Sequence, residues 1–312
     1  MDNTVFMEAR SMEKMHEIFW VAEVNAPNMI KVVGVGLMGR LIVGTIHRDL
    51  GERFPCLDFA IVDTPHPMTP MRIWSAWGEL DVEKVFVDGS APDLEERMLD
   101  VVKDTQMLFV VFDPLDSYCL PMVSALFRQI RANCEDRIAV GLLLPPPDDD
   151  LEDKALWEKS RNAITSATKS IVIEKDEEKY DLPHRQVCDV IENVCGVFLN
   201  TQFHVDYNDV ATILQTGGGV AVYGLGRGKG EERIRRAVSE LVRDLESKGC
   251  LMGEVKGLLM VVHTSPLQGL SSEEWKILRG LLGKNTNVLI NCATDITEAG
   301  GNSIEINAVA VF

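Results

Sequence analysis

The feature that most constrains the fold of this sequence is a series of short, continuous apolar runs separated by helical stretches. The runs are MIKVVGVG, LDFAIVD, KVFVDG, MLFVVFD and AVGLLL, and residues 170–174 predict a sixth strand. Strands that are apolar at every position, rather than at every second one, are typical of parallel sheets covered on both faces. The sequence therefore predicts an α/β protein with a doubly wound parallel sheet. Ser90 is expected to cap the helix PDLEERMLDVVKD.

The second half of the chain predicts a smaller α/β unit. A long helix over residues 181–200 has apolar residues at core spacing, namely Val187, Val190, Ile191, Val194 and Phe198. Beyond it longer strands alternate with two helices, and the last strand places Ile304, Ile306, Ala308 and Ala310 on one face. We predict an N-terminal helical extension (1–28), a first domain (29–181), a central helix (182–203) and a second domain (204–312).

The N-terminal extension has an apolar pattern of its own. Met12, Met15, Phe19 and Ala22 would lie on one face of a helix. This helix either packs on its own domain or serves as a docking helix for a partner.

Charge and composition exclude several classes of function. The chain has 31 basic and 48 acidic residues, a formal net charge of −17, which repels nucleic acid backbones and anionic lipid headgroups. No run reaches the roughly 18 to 20 apolar residues that span a bilayer, and the start of the chain lacks a secretory signal pattern. The seven cysteines and six histidines are scattered, without a C-x-x-C pair. We expect a cytoplasmic protein that holds no metal and binds neither nucleic acid nor membrane directly.

The first strand enters a glycine turn, GVGLMG, in which Gly34, Gly36 and Gly39 form a G-x-G-x-x-G pattern, and Asp63 ends the next strand. Dinucleotide-binding enzymes use this arrangement to place a pyrophosphate at a helix N-terminus and to bind a ribose hydroxyl through the acid. One reading is therefore an NAD-binding oxidoreductase, for which His263 is the one candidate catalytic residue with a supporting context.

Several motifs, in the correct order, resemble the FtsZ/tubulin superfamily. FHVDYNDVATIL is similar to the family's MNVDFADV-x-T-[VI]-M, and VAVYGLGRGKGEERIRRAV is similar to AMMG-x-G-x-A-x-G-E-x-R-A-x-x-A-A. TNVLINCATDITEAGGNSIEINAVAVF resembles the family's last strands, and IKVVGVG and FAIVDT resemble its first. The resemblance covers residues 30–312. It implies a nucleotide-binding-type domain, a long central helix and a second, smaller α/β domain.

The departures from the family concern its phosphate-binding loops. The family's G-x-G-G-G-G-x-N-A and G-G-G-T-G-[ST]-G turn backbone N–H groups toward GTP, which side chains would obstruct. Here the first loop retains three glycines, followed by Arg40, which either grips an anionic ligand or covers a vacated pocket. The second reads DPLDSYCLP, without glycine and with Asp113 and Asp116. We expect defective binding of GTP or GDP, and no other cofactor.

Two further sites follow from the resemblance alone. The family's Asn-Asp pair on the central helix reads guanine, and here Cys188 and Asp189 stand in its place. Asp206 and Asp209 match the two acids of a loop that, in FtsZ, enters the nucleotide site of the next subunit and positions the attacking water. The resemblance thus implies catalytic action in trans. The alternative is that Asp209 caps the following helix and Asp206 is a solvated turn residue.

Three functions remain open. The first is a degenerate FtsZ-like protein that co-assembles with, caps or regulates an FtsZ-type filament, or assembles head to tail with itself. The second is an active, divergent GTPase that forms its own filaments, and the third is the NAD-binding oxidoreductase. In the first reading the vestigial nucleotide-binding residues are Gly34, Gly36, Gly39, Arg40, Asp63 and Asp189.

Overall fold

A computed structural model of the chain describes residues 30–54, 57–65, 82–133, 137–144, 151–165, 169–172, 183–199, 207–217, 219–265, 268–280, 287–293 and 302–312. The predicted N-terminal helix, the loop residue Asp206 and the predicted domain boundary at residues 203–204 lie outside these ranges.

The first half of the sheet is parallel. Its strands are β1 (Ile30–Val35), β2 (Leu57–Asp63), β3 (Glu83–Phe86), β4 (Met107–Phe112), β5 (Ile138–Leu143) and β6 (Lys169–Val172), in the spatial order β3-β2-β1-β4-β5-β6. Strands β1, β4 and β5 are buried at every position, which confirms the prediction from their continuous apolar runs. Strand β3 is the edge strand, and three of its four residues are exposed.

Helices cover both faces of this half. They are α1 (Gly36–Gly51), α2 (Leu94–Val102), α3 (Leu120–Asn133) and α4 (Leu151–Thr165). The core on one face includes Ile42 and Ile46 of α1. The core on the other includes Met98 of α2 and Met122 of α3. The sheet is therefore doubly wound, as predicted.

The expectation that Ser90 caps α2 is wrong. Helix α2 begins at Leu94, and the residue before it is Asp93. The backbone N–H and Oγ of Ser90 both donate to Oδ1 of Asp88, at 2.8 and 2.7 Å. Ser90 thus closes the turn after β3, whereas a capping side chain would stand at position 93 and accept an N–H of α2.

The second half continues the same sheet with mixed strand directions. Its elements are α5 (Pro183–Leu199), α6 (Tyr207–Gln215), β7 (Val220–Lys229), α7 (Arg233–Ser247), β8 (Gly257–Thr264), α8 (Ser272–Gly280), β9 (Asn287–Ala293) and β10 (Ser303–Val311). The described strands form a ten-stranded sheet that ends β6-β7-β10-β8-β9, in which β10 is antiparallel to both neighbours. Ile304, Ile306, Ala308 and Ala310 share a core with α7, which confirms the predicted face.

The long helix α5 joins the two halves. It packs against α1 on one side and against β8, β9 and β10 on the other. Val187, Val190, Ile191 and Val194 are fully buried, as their spacing predicts. The side chain of Phe198 lies outside the described part. The architecture is thus a parallel, doubly wound half, a central helix and a smaller second α/β half.

Candidate functional site

The first candidate site lies at the edge where the parallel strands end, which we call the carboxyl edge. Helix α1 follows β1 on one face of the sheet, whereas α3 follows β4 on the other, and β1 and β4 are neighbours. In open α/β sheets, ligands bind in the crevice at such a topological switch point. The elements that meet here are the glycine turn before α1 and residues 113–119 after β4.

The crevice is filled by the chain itself. Gly36, the first residue of α1, has a φ of +72°. A Cβ at this position would overlap Sγ of Cys119 and would lie 2.8 Å from Oδ2 of Asp116. These two side chains therefore stand directly against the turn. Cys119 is a site residue that the sequence did not single out, and its signal was its place in DPLDSYCLP.

Gly34 and Gly39 are required for packing. A Cβ on Gly34 would overlap the carbonyl oxygen of Gly39, and a Cβ on Gly39 would overlap that of Val111 in β4. Both glycines let α1 approach the sheet closely, as the third glycine of a dinucleotide fingerprint does. Their presence is therefore explained without a nucleotide.

The segment after β4 uses its own backbone donors. The N–H of Leu115 donates to Oδ1 of Asp113 at 2.9 Å, and the N–H of Tyr118 donates to Oδ1 of Asp116 at 3.1 Å. The N–H of Cys119 donates to the carbonyl of Asp116 at 3.0 Å. In a glycine-rich phosphate loop such N–H groups point at the ligand. Here they hold the segment in consecutive turns.

Arg40 and Asp63 form a buried ion pair. Nη1 of Arg40 lies 2.7 Å from Oδ2 of Asp63, and the side chains are only 6% and 9% exposed. The other carboxylate oxygen of Asp63 accepts the N–H of Thr64 at 2.8 Å. Arg40, expected either to grip an anionic ligand or to cover a vacated pocket, thus binds Asp63, the acid that the dinucleotide reading assigns to a ribose.

The electrostatics of the crevice disfavour further negative charge. Burial raises the pKa of Asp63 and of Asp113, and the neighbouring charge of Asp116 raises both further. Burial also raises the pKa of the Cys119 thiol, as does its hydrogen bond to the Asp116 carboxylate. The three carboxylates Asp63, Asp113 and Asp116 thus face Arg40, whose positive charge is already paired with Asp63.

Asp189 is not brought to this crevice. It follows Cys188 on α5, and Cys188 lies near the charges of Asp49 and Arg53. Asp49 lies in the last turn of α1 and Arg53 just beyond its end, which is about 20 Å from Gly36 at 1.5 Å per residue. The residue predicted to read guanine is therefore placed next to the far end of this helix.

The second candidate site lies at the opposite, amino edge of the sheet. Oη of Tyr207, the first residue of α6, donates to the carbonyl of Gln106 at 2.8 Å, just before β4 begins. Asp209 is exposed and lies in the first turn of α6, two residues after the helix begins at Tyr207. The two candidate sites are about 20 Å apart, because β4 has six residues of about 3.3 Å each.

The described residues contain neither a metal site nor a membrane-spanning helix. They contain no group of three or more His, Cys, Asp or Glu side chains that is able to hold a metal ion. Among them, no helix combines the length and the apolar character needed to cross a membrane.

No protein-family profile and no curated protein matches the sequence. Solved structures do match. A point variant of FtsZ from M. jannaschii has a TM-score of 0.69 at 15% identity, covering 92% of this chain and 91% of that one. CetZ from Methanosaeta thermophila has a TM-score of 0.63 at 12% identity, with 91% and 86% covered. TubZ of Clostridium botulinum phage c-st has a TM-score of 0.58 at 9% identity, with 91% and 92% covered. This chain therefore has the tubulin/FtsZ-superfamily fold.

Proposed function

We propose that this chain is an FtsZ-like assembly protein that neither binds nor hydrolyses GTP. It acts through protein–protein contacts, as a partner, cap or regulator of a filament in cell division or another cytoskeletal process. The observation that carries the proposal is the filled crevice, where Cys119 and Asp116 stand against Gly36.

A nucleotide would have to displace this arrangement at a considerable cost. Its phosphates would approach Asp113 and Asp116, while Arg40 is already bound to Asp63. Two like charges about 4 Å apart repel by about 4 kcal/mol at the effective dielectric of a protein surface. A Mg²⁺ ion would relieve part of the repulsion, but it cannot supply the N–H donors that residues 113–119 use internally.

The separation of the two candidate sites supports the role of a cap. A head-to-tail filament needs two different, complementary faces on each subunit. In this chain the carboxyl edge is closed by its own side chains, whereas Asp209 is exposed at the amino edge. A subunit with one competent face joins one end of a filament and blocks the next addition.

Calorimetric titration of the purified chain with GTP, GDP and NADH, with and without Mg²⁺, tests the nucleotide part. We expect no heat of binding for any of the three. NADH belongs in the set because the order β3-β2-β1-β4-β5-β6 is also that of dinucleotide-binding domains. Micromolar binding of GTP would establish the divergent GTPase instead, and micromolar binding of NADH would establish the oxidoreductase.

The assembly part is tested by adding the chain to a polymerising FtsZ-type protein and measuring GTP turnover and filament length. We expect shorter filaments and altered turnover, and both effects should disappear in the Asp206→Ala/Asp209→Ala variant. Asn208→Ala is the matched control, because Asn208 is also exposed in the first turn of α6. Effects that survive the double variant would eliminate these acids as the contact in trans.

A further inference from the structure

Exposed apolar side chains are concentrated at the carboxyl edge. In the described part of the chain, the large apolar residues exposed there are Leu37 (44%), Met38 (41%), Phe86 (42%) and Tyr118 (69%). We call these four residues the edge patch. Only two further large apolar side chains of the described residues are exposed, Leu156 and Leu251.

The members of the edge patch come from neighbouring loops. Leu37 and Met38 directly follow Gly36, and Tyr118 directly precedes Cys119, whose Sγ stands against Gly36. A Cβ on Gly89 would lie 3.2 Å from Pro121 and 3.4 Å from the carbonyl of Tyr118, so the turn after β3 adjoins the same segment. The patch thus spans the ends of β1, β3 and β4.

Leu37 and Met38 do not belong to the buried face of α1. The inward face of α1 is formed by other residues, which include Gly39, Ile42, Val43 and Ile46. Exposed apolar side chains that are grouped, rather than scattered, mark surfaces for binding another molecule. Because Cys119 and Asp116 stand against Gly36 behind them, the surface is suited to a protein rather than to a small ligand.

The charges around the edge patch indicate the chemistry of that protein. Asp88 is exposed beside the patch, and Asp113 and Asp116 are partly exposed. Two nearby cations are neutralised, Arg40 by Asp63 at 2.7 Å and Arg97 by Asp93 at 2.6 Å, which leaves the exposed Lys84 of β3 against these three carboxylates. Among the described residues the rim is therefore acidic, and it attracts lysine or arginine.

We propose that the edge patch binds a segment of a partner protein in which apolar side chains are flanked by lysine or arginine. This inference rests on the proposed function, since it requires the crevice to be closed. The acidic loop of another FtsZ-type subunit, or Asp209 of a second copy, would bring like charges to the same rim and is disfavoured. The carboxyl edge thus recruits a different partner from the one that meets the amino edge.

A library of random 12-residue peptides displayed on phage tests the proposal. The library is selected on the wild-type chain and counter-selected on Leu37→Ser/Met38→Ser, whose substitutions are at exposed positions and leave the core intact. We expect enriched peptides that combine lysine or arginine with large apolar residues. Enrichment of acidic peptides, or no peptide that depends on Leu37 and Met38, would overturn the proposal.

A synthetic copy of the enriched peptide then measures the contributions of patch and rim by fluorescence anisotropy. We expect Kd to rise about tenfold in Leu37→Ser/Met38→Ser, to rise less in Asp88→Asn, and to stay unchanged in Leu156→Ser, the matched exposed control. Equal losses of peptide affinity in Leu37→Ser/Met38→Ser and Leu156→Ser would contradict a specific patch.

Concentration-dependent dimers of the wild-type chain that are abolished by Leu37→Ser/Met38→Ser would identify a second copy as the occupant and refute the basic partner. Neither assay contains nucleotide, so their failure leaves the titration with GTP unaffected.

Discussion

Sγ of Cys119 lies so close to Gly36 that a Cβ on residue 36 would overlap it, so the segment after β4 and the start of α1 fit together only because residue 36 is glycine. The left-handed φ of +72° gives a second, independent reason for glycine. A turn that reads as a nucleotide loop in the sequence is thus explained by contacts within the chain.

The first prediction separates these two reasons. Gly36→Ala should lower the free energy of unfolding by about 3 kcal/mol or more, because the left-handed backbone and the overlap with Cys119 both oppose a Cβ. Gly230→Ala is the matched control, since Gly230 has a φ of +89° and nothing within 4 Å of its added Cβ. It should lose only about 1 to 2 kcal/mol. Urea unfolding of both variants is the measurement, and equal losses would mean that Cys119 does not close the turn.

The second prediction concerns the buried pair of Arg40 and Asp63. Arg40→Met leaves the Asp63 carboxylate buried without its cation, and the free energy of unfolding should fall by about 3 to 5 kcal/mol at neutral pH. Arg40→Met/Asp63→Leu removes both charges and should recover most of that loss. Arg48→Met, at an exposed position of the same helix, should change stability by less than about 0.5 kcal/mol. A double variant no more stable than Arg40→Met would contradict the pairing.

The third prediction uses a buried amide on α5. Asn193 is 1% exposed, and neither its Nδ2 nor its Oδ1 has a hydrogen-bond partner. Because unsatisfied buried polar groups destabilise the folded state, Asn193→Leu should raise the free energy of unfolding by about 1 to 3 kcal/mol. Asn208→Leu, at an exposed position of α6, should have little effect. A large loss of stability in Asn193→Leu would show that this amide has a partner in solution, such as an ordered water.

The secondary structure could be predicted from the sequence because its signals are local. The apolar runs that became β1, β4 and β5 need no knowledge of neighbours, and the spacing of apolar residues on α5 indicates which face is buried. The expected Ser90 cap is wrong because α2 begins at Leu94, not directly after Ser90, and an apolar pattern does not fix the first residue of a helix.

The candidate site was less accessible to sequence reasoning because its contacts are long-range. The lack of glycine in DPLDSYCLP predicts a poor phosphate site, but not that Cys119 and Asp116 turn back onto Gly36. Arg40 is expected either to grip an anionic ligand or to cover a vacated pocket, and Asp63 is expected to bind a ribose only in the dinucleotide reading. Their pairing follows only from the adjacency of β1 and β2, which places the end of β2 beside the first turn of α1.

The fourth prediction follows from the raised pKa of Asp113, whose main cause is burial, with the charge of Asp116 adding to it. The folded chain therefore holds a proton on Asp113 at pH values where the unfolded chain has lost it. Stability from this group is fully present below its ordinary pKa of 3.8 and is lost as pH rises toward the raised value. Asp113→Asn cannot lose this proton, so it should become more stable relative to wild type as pH rises through that window.

An acid with the opposite shift provides the control for this prediction. The hydrogen bond from Arg97 lowers the pKa of Asp93, so its contribution to stability is present above 3.8 and is lost as pH falls below it. Asp93→Asn should therefore become less stable relative to wild type as pH rises toward 3.8. Urea unfolding of the three proteins from about pH 3 to pH 7 compares the two slopes. If the Asp113→Asn curve runs parallel to that of wild type, the acidic crevice does not disfavour charge, and the electrostatic argument against a bound triphosphate fails with it.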